Sequence, residues 1–110
     1  MADSPTSCKQ VFEMMPSRFN KEASKDLNAT YQFDLSGEGG GKWYVVIADE
    51  QCQVHEGADP SPNITISMTA QDYLDMIAGN ANGQVLFMTG KLRIAGDMGL
   101  ALRMQTLFTA

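Results

Sequence analysis

The residues of this sequence that could do acid–base or nucleophilic chemistry are few and widely spaced. His55 is the single histidine, and it alternates with Val54 in a segment predicted to be a strand. A lone histidine is a useful base only when a nucleophile and an orienting acid lie beside it. Asp72 and Asp75 stand three residues apart on a predicted helix, where a helix cap and a solvated face account for them. We therefore predict no catalytic residues and interpret His55 as a surface residue of a strand.

The stretch SGEGGGKW, residues 36–43, raises the question of a phosphate loop. Such a loop needs the spacing G-x-x-x-x-G-K-[ST] and a helix behind it, whose positive end faces the phosphates. Here Ser36 stands at the first glycine position, Trp43 replaces the hydroxyl residue, and Glu38 would repel a phosphate. The residues after Lys42 alternate as a strand does. We therefore predict a hairpin loop and no nucleotide or other cofactor.

The sequence also contains no metal-binding motif. The sequence holds no H-E-x-x-H, no C-x-x-C and no EF-hand spacing. Cys8 and Cys52 are too few for a disulfide framework or a metal cluster, and we interpret both as reduced, small apolar side chains. We predict no metal site.

Length and composition predict a single globular domain over residues 1–110, with 44% hydrophobic and 19% charged residues. The formal net charge of −5 argues against nucleic acid as a partner, because its binding needs clustered Lys and Arg. No apolar run is long enough to span a bilayer, and the N-terminus lacks the features of a signal peptide. These features predict a cytoplasmic protein.

The apolar periodicity predicts two helices, three strands, a crossover strand, two helices, a strand and a helix. Pro16 is expected to end the first helix and to start the second. In the segment from Ala29 to Leu35 apolar residues alternate with polar ones, as in a half-buried strand. Asp97 is expected to cap a last helix that is apolar around most of its circumference. This order predicts an α+β fold with a mostly antiparallel sheet.

The apolar terminal helix needs more than one covering surface, or a ligand as part of its cover. The segment GKLRIAGDMGLALRMQTLF, residues 90–108, resembles the C-terminal segment of the sterol carrier protein 2 family. The resemblance extends to YQFDLSGEGGGKWYVVIADE, ITISMTAQDYLDMIAGN and NGQVLFMTGKL, and thus runs from about Val11 to Phe108. It implies a five-stranded, mostly antiparallel sheet covered by helices around a hydrophobic tunnel.

The resemblance also implies the function. Family members bind sterols, fatty acids, fatty acyl-CoA or phospholipids, move them between membranes or to enzymes, and are not catalytic themselves. Transient membrane contact is part of that expectation. Carried onto this chain, the tunnel would lie between the sheet and the last three helices. The expected ligand-binding residues are Phe33, Ile77, Gln84, Phe87, Met88, Leu92, Leu100, Met104 and Phe108. Gln84 is the expected polar contact near the mouth, and for each apolar residue ordinary core packing remains an equal alternative.

Two alternatives stay open. The first is an accessory module that presents acyl substrates to partner enzymes such as a thiolase or a dehydrogenase, to which the family's domain is also found fused, or that has become an interaction domain for such enzymes. The second, well behind it, is a small esterase or isomerase with His55 as its base. The chain ends in Phe108, Thr109 and Ala110 and not in an S-K-L-like tripeptide. A peroxisomal location is therefore expected only if a targeting tripeptide has been removed.

Overall fold

The structure is a computed structural model that describes residues 7–107, apart from the side chains of Arg18, Leu102, Met104, Gln105 and Thr106. This part of the chain contains four α-helices, one turn of 3-10 helix (Lys21–Ser24) and five strands. The helices are α1 (Cys8–Arg18), α2 (Ala70–Ile77), α3 (Gly83–Met88) and α4 (Met98–Leu107). The strands are β1 (Ala29–Ser36), β2 (Gly41–Ala48), β3 (Gln51–Glu56), β4 (Ile64–Thr69) and β5 (Arg93–Gly96).

The five strands form one mixed sheet in the order β3-β2-β1-β4-β5. The pairs β1–β2, β2–β3 and β4–β5 are antiparallel, and β1–β4 is parallel. The predicted α+β class and mostly antiparallel sheet are therefore confirmed, with one parallel pair at its centre. That pair exists because the connection after β3 crosses to the far side of β1.

Two hairpins build the first half of the sheet. Between β2 and β3, Asp49 and Glu50 have φ angles of 53° and 59°, as a tight two-residue hairpin turn requires. Between β1 and β2, Gly37 and Gly39 have φ angles of 86° and 79°, which glycine adopts without steric cost. Since β2 and not a helix follows the glycines, the predicted hairpin loop is confirmed.

The core is one apolar layer between the sheet and the helices, which lie on a single face of the sheet. Alternate residues of β1 point into this layer, so that Tyr31, Phe33 and Leu35 are at most 5% exposed. From the helices, Phe12 of α1 and Tyr73 of α2 are each 1% exposed. The period-2 pattern of β1 and the helical spacing of α1 and α2 thus meet in the same layer.

None of the helices in the described part of the chain covers the opposite, outer face of the sheet. His55 of β3 lies exposed there, paired with Tyr44 of β2, and the two rings stack with centroids 5.0 Å apart. The prediction that His55 is a surface residue of a strand is confirmed.

One polar side chain on the outer face is nevertheless buried. Gln32 is 3% exposed, because the connection after β3 folds over it. Its amide nitrogen donates to the Gly57 carbonyl (3.1 Å) and the Trp43 carbonyl (3.2 Å), and its Oε1 accepts from the Asp59 N–H (2.8 Å). Gln32 therefore holds the crossover connection against the sheet.

The prediction for Pro16 is wrong. Helix α1 continues through Pro16 to Arg18, and the predicted second helix is only the 3-10 turn of Lys21–Ser24. Pro16 lies in the last turn of α1, and the helix ends two residues after it. Proline removes one hydrogen-bond donor but leaves the following residues free to keep a helical φ.

The other helix signals act as the sequence indicates. The Thr69 hydroxyl caps α2 by accepting from the Asp72 N–H (3.1 Å), and Gly79 follows the helix with a φ of 84°. The Asp97 carboxylate accepts from the Gly99 N–H (2.9 Å) at the start of α4. These caps orient α2 and α4 over the sheet.

Candidate ligand-binding site

Four of the nine predicted ligand-binding residues lie in the layer between sheet and helices. Phe33 of β1 and Leu92, which precedes β5, are buried. Ile77 of α2 and Leu100 of α4 are half-buried and pack against the core. These four side chains come from four separate segments, which the fold brings into one apolar layer.

Three more predicted residues lie on α3 and face outward. Phe87 is 44% exposed, Met88 is 81% exposed, and Gln84 is exposed at the helix start. Helix α3 is only six residues long, begins at the Asn82 cap and buries Leu86. A short helix that is apolar on every side can bury one face only, so its other apolar side chains remain at the surface.

The last two predicted residues fall at the end of the chain. The side chain of Met104 and the whole of Phe108 lie outside the described part of the structure. Their role in binding stays a prediction.

Helix α4 is attached to the rest of the fold by hydrogen bonds as well as by apolar contacts, and three of these bonds involve Leu100, Arg103 and Leu107. The Tyr31 hydroxyl donates to the Leu100 carbonyl (2.9 Å), Arg103 donates to the Ala23 carbonyl (2.8 Å), and the Asn20 N–H donates to the Leu107 carbonyl (2.6 Å). Burial raises the pKa of Tyr31 to about 12, so its hydroxyl stays a donor at neutral pH. These bonds hold α4 against β1 and the 3-10 turn.

Three aromatic rings stack through the layer between α1, α2 and the sheet. The rings of Trp43 and Phe12 lie 4.7 Å apart at an interplanar angle of 16°. Phe12 and Tyr73 lie 5.7 Å apart at 12°, and the Phe33 ring stands 5.9 Å from Tyr73. Such pairs add about 0.5–1.5 kcal/mol each beyond the burial of their area.

The Tyr73 hydroxyl has no hydrogen-bond partner among the described residues, although it is buried. Burial, and next the neighbouring Cys8, raise the pKa of Tyr73 far above its ordinary value. The Cys8 thiol itself points to the Ala70 carbonyl at 3.8 Å. A buried polar group left without a partner costs about 1–3 kcal/mol, so Tyr73 is an exception that asks for an explanation.

A cleft of about 340 Å³ opens between α1 and the strands β2 and β3. Phe12, Trp43 and Val54 form its apolar wall. Its remaining lining residues carry charges or lie at the helix end: Lys9, Glu13, Pro16 and Glu56. The inner wall of the cleft is thus the outer end of the aromatic stack.

The arrangement offers little for covalent chemistry. Asp75 accepts a hydrogen bond from the Gln71 amide (3.0 Å), and the Asp72 N–H belongs to the cap of α2. Within residues 7–107, no three side chains of His, Cys, Asp or Glu lie close enough together to hold a metal ion. What the site does supply is buried apolar surface.

Neither a role for Tyr73 nor the cleft is predicted from the sequence. Tyr73 is one of the buried residues of α2, and helical spacing alone gives no role to its hydroxyl. The available signal was the residue type, since tyrosine places a polar atom where the other members of that face are apolar. The cleft depends on how α1 lies across two strands, which no local pattern contains.

The architecture defines a class of small α+β proteins, with one helical layer over a five-stranded mixed sheet. A model of the SCP-2 sterol transfer family matches residues 9–109, and the chain belongs to that family. The resemblance drawn from the sequence is confirmed.

A relative from Xenopus laevis, "Hydroxysteroid dehydrogenase-like protein 2", is 37% identical over 99 residues, which are 88% of this chain and 24% of the relative. The chain thus spans about a quarter of the length of this curated relative. Sterol Carrier Protein 2 from Yarrowia lipolytica, solved in its apo form, superimposes with a TM-score of 0.71 at 28% identity, covering 94% of this chain and 97% of that one.

The same fold also occurs in a larger protein, the sec-alkylsulfatase Pisa1 from Pseudomonas sp.. It superimposes with a TM-score of 0.77 at 13% identity, over 92% of this chain and 16% of that one. This likeness concerns the fold alone. Among the described helices, none has the length and apolar character needed to cross a membrane.

Proposed function

We propose that this chain is a lipid-binding module that holds one apolar molecule between its sheet and its helices and does not transform it. The observation that carries the proposal is its membership of the SCP-2 sterol transfer family over residues 9–109. The apolar layer supports it, because only two buried polar residues, Ser24 and Gln32, are found among the described residues, and Gln32 lies on the other face of the sheet. Neither of these two residues is needed for the ligand, because both are hydrogen-bonded within the fold.

The ligand would be lined by the four predicted residues in the layer, Phe33, Ile77, Leu92 and Leu100, with Met104 and Phe108 completing the tunnel. Each buried methylene of a ligand contributes about 0.8 kcal/mol, so ten of them supply about 8 kcal/mol. That gross figure corresponds to a dissociation constant of about 1 µM, before the cost of ordering is subtracted. Sterols, fatty acids, fatty acyl-CoA and phospholipids all carry enough apolar surface.

We propose that the exposed side of α3 is the surface through which ligands are exchanged with membranes. Val85, Phe87 and Met88 of α3 and Met98 of α4 are exposed large apolar residues. Lys91 and Arg93 follow α3 closely in the chain and are exposed as well. Apolar side chains with cations beside them suit the boundary between acyl chains and head groups.

Binding is tested directly by native mass spectrometry of gently purified protein and by titration with a fluorescent fatty acid, a fluorescent sterol and an acyl-CoA. Helix α2 offers a matched pair of variants for the lining. Ile77→Gln and Leu74→Gln each place an amide at a half-buried position that packs against the core, but only Ile77 belongs to the proposed lining. We expect Ile77→Gln to weaken binding about tenfold more than Leu74→Gln at equal loss of stability. Equal weakening would show that Ile77 acts only as core.

A second candidate function is that of an accessory module for lipid-metabolising enzymes. This function is favoured because the chain spans only about a quarter of the length of a relative whose name is dehydrogenase-like. A thiolase or a dehydrogenase would then receive its acyl or steroid substrate from this domain. The test is whether adding the chain lowers the apparent KM of such an enzyme for a lipid substrate. A KM unchanged by saturating amounts of the chain would contradict it.

A further inference from the structure

The Tyr73 hydroxyl is the one buried side-chain nitrogen or oxygen, among the described residues, that has no hydrogen-bond partner. Tyr73 itself is 1% exposed. The Tyr73 ring packs against the rings of Phe12 and Phe33, and the nearby Cys8 directs its thiol at the Ala70 carbonyl. Buried polar atoms without a hydrogen-bond partner are rare in native proteins, unless a water, an ion or a ligand supplies the missing bond.

The other buried polar side chains cannot form the missing hydrogen bond with the Tyr73 hydroxyl. Ser24 donates to the Lys21 carbonyl at 2.7 Å, and Gln32 lies on the outer face of the sheet, where it holds the crossover connection. The hydroxyl can therefore donate and accept a hydrogen bond inside an apolar layer, and none of the described residues forms such a bond with it.

We propose that the Tyr73 hydroxyl is the polar contact for a lipid whose single buried oxygen is uncharged, such as a long-chain alcohol, a ketone or a sterol. The proposal rests on the proposed lipid-binding function and names the ligand class that this function prefers. An apolar molecule with one neutral hydroxyl or carbonyl would satisfy both Tyr73 and its own oxygen.

A charged head group fits this position poorly. Burial raises the pKa of Tyr73, so the hydroxyl stays neutral and supplies no charge. No Lys, Arg or His is buried among the described residues. A carboxylate beside Tyr73 would thus lose its hydration without gaining a counter-charge, which is strongly unfavourable. Lipids with ionised heads would instead bind with the head at the surface and leave Tyr73 unpaired.

The aromatic stack links Tyr73 to the cleft between α1 and the sheet. Phe12 and Trp43 line this cleft of about 340 Å³, and Phe12 also stacks on Tyr73. Movement of the Phe12 ring would therefore connect Tyr73 with a cleft whose volume is at the lower end of the range of ligand pockets, about 300–1,000 Å³.

The test compares Tyr73→Phe with the unaltered protein, using three ligands with the same chain: hexadecanol, hexadecane and palmitate, each delivered from cyclodextrin. Binding is followed by the fluorescence of Trp43, the single tryptophan of the chain. We expect Tyr73→Phe to weaken hexadecanol binding about fivefold to tenfold, or about 1–1.4 kcal/mol, as the loss of one buried hydrogen bond does. Hexadecane and palmitate should bind to both proteins alike.

Stability provides a readout that separates binding from structure. Tyr73→Phe removes no described hydrogen bond, so its melting temperature should equal or exceed that of the unaltered protein. A lower melting temperature would show that the hydroxyl is satisfied within the apoprotein, for example by a buried water, and would overturn the proposal.

The binding outcomes are equally distinct. Equal loss for hexadecanol and hexadecane, or no loss for either, would refute the polar contact. A palmitate loss as large as that of hexadecanol would refute the preference for neutral oxygen. If the unaltered protein binds none of these ligands, nor any sterol or acyl-CoA, the proposed function itself fails and this inference falls with it.

Discussion

Replacing Phe87 and Met88 together with glutamine should slow lipid transfer between membranes without unfolding the protein. Met88 is 81% exposed and Phe87 is 44% exposed, so the core contact that is lost is mainly that of the buried part of the Phe87 ring. Glutamine is a good helix former and leaves the net charge unchanged. We expect the free energy of unfolding to fall by about 1 kcal/mol, which leaves the protein folded.

The expected effect on membrane association follows from the exposed area. Full burial of a Met or Phe side chain is worth about 1.5–3 kcal/mol. With the exposed fractions of Met88 and Phe87, contact with the acyl region would contribute about 2 kcal/mol in total. That free energy corresponds to about a 30-fold change in membrane association. If collision with the membrane limits transfer, the transfer rate falls by a similar factor.

The assay measures transfer of a fluorescent lipid between neutral phosphatidylcholine vesicles, so that surface charge plays no part. Val46→Gln is the matched control, because Val46 is a half-buried apolar residue on the outer face of the sheet, remote from the helical layer. It should leave transfer unchanged. Equal rates for the α3 double variant and the unaltered protein, at equal ligand affinity, would refute α3 as the membrane-facing surface.

Three further predictions concern the residues that hold α4 and the crossover connection in place. Tyr31→Phe removes the bond to the Leu100 carbonyl and should cost about 1 kcal/mol, seen as a melting temperature lowered by about 4–8 °C; an unchanged value would contradict the anchoring of α4. Because the pKa of Tyr31 is raised to about 12, the stability it contributes is complete below about pH 10 and is lost as the pH rises towards 12; phenolate absorbance that appears near pH 10 in the folded protein and is missing from Tyr31→Phe would contradict this. Gln32→Leu removes the hydrogen bonds to the Asp59 N–H and to the Gly57 and Trp43 carbonyls and should cost about 2–4 kcal/mol in urea unfolding, whereas the exposed Gln53→Leu should cost almost nothing; equal costs would refute the role of Gln32.

Much of the fold could be predicted, because local patterns control it. The alternation of Tyr31, Phe33 and Leu35 determines which face of β1 meets the helices, and Thr69 and Asp97 locate the starts of α2 and α4. Pro16 misled because a proline in the last turn of a helix does not have to end it at once. The parallel pairing of β1 with β4 joins segments about thirty residues apart, and no local pattern specifies such a partner.

The site was predicted less completely than the fold. The type of an apolar residue suits a core, a tunnel or an exposed surface equally, so both Phe33 and Met88 were predicted to line the ligand, although they differ widely in exposure. Tyr73 could not be distinguished from an ordinary core aromatic residue, because the absence of a partner for its hydroxyl depends on every neighbouring side chain. Such properties depend on how the whole interior packs, and no single segment determines them.

The central claim, that the folded chain binds one lipid, is tested most directly by equilibrium titration with a fluorescent fatty acid and a fluorescent sterol, with stoichiometry from native mass spectrometry. We expect saturable binding of at least one of them, one molecule per chain, with a dissociation constant of about 1 µM. Protein that is shown to be folded by circular dichroism, yet binds neither probe saturably and displaces neither on addition of acyl-CoA or phospholipid, would contradict it.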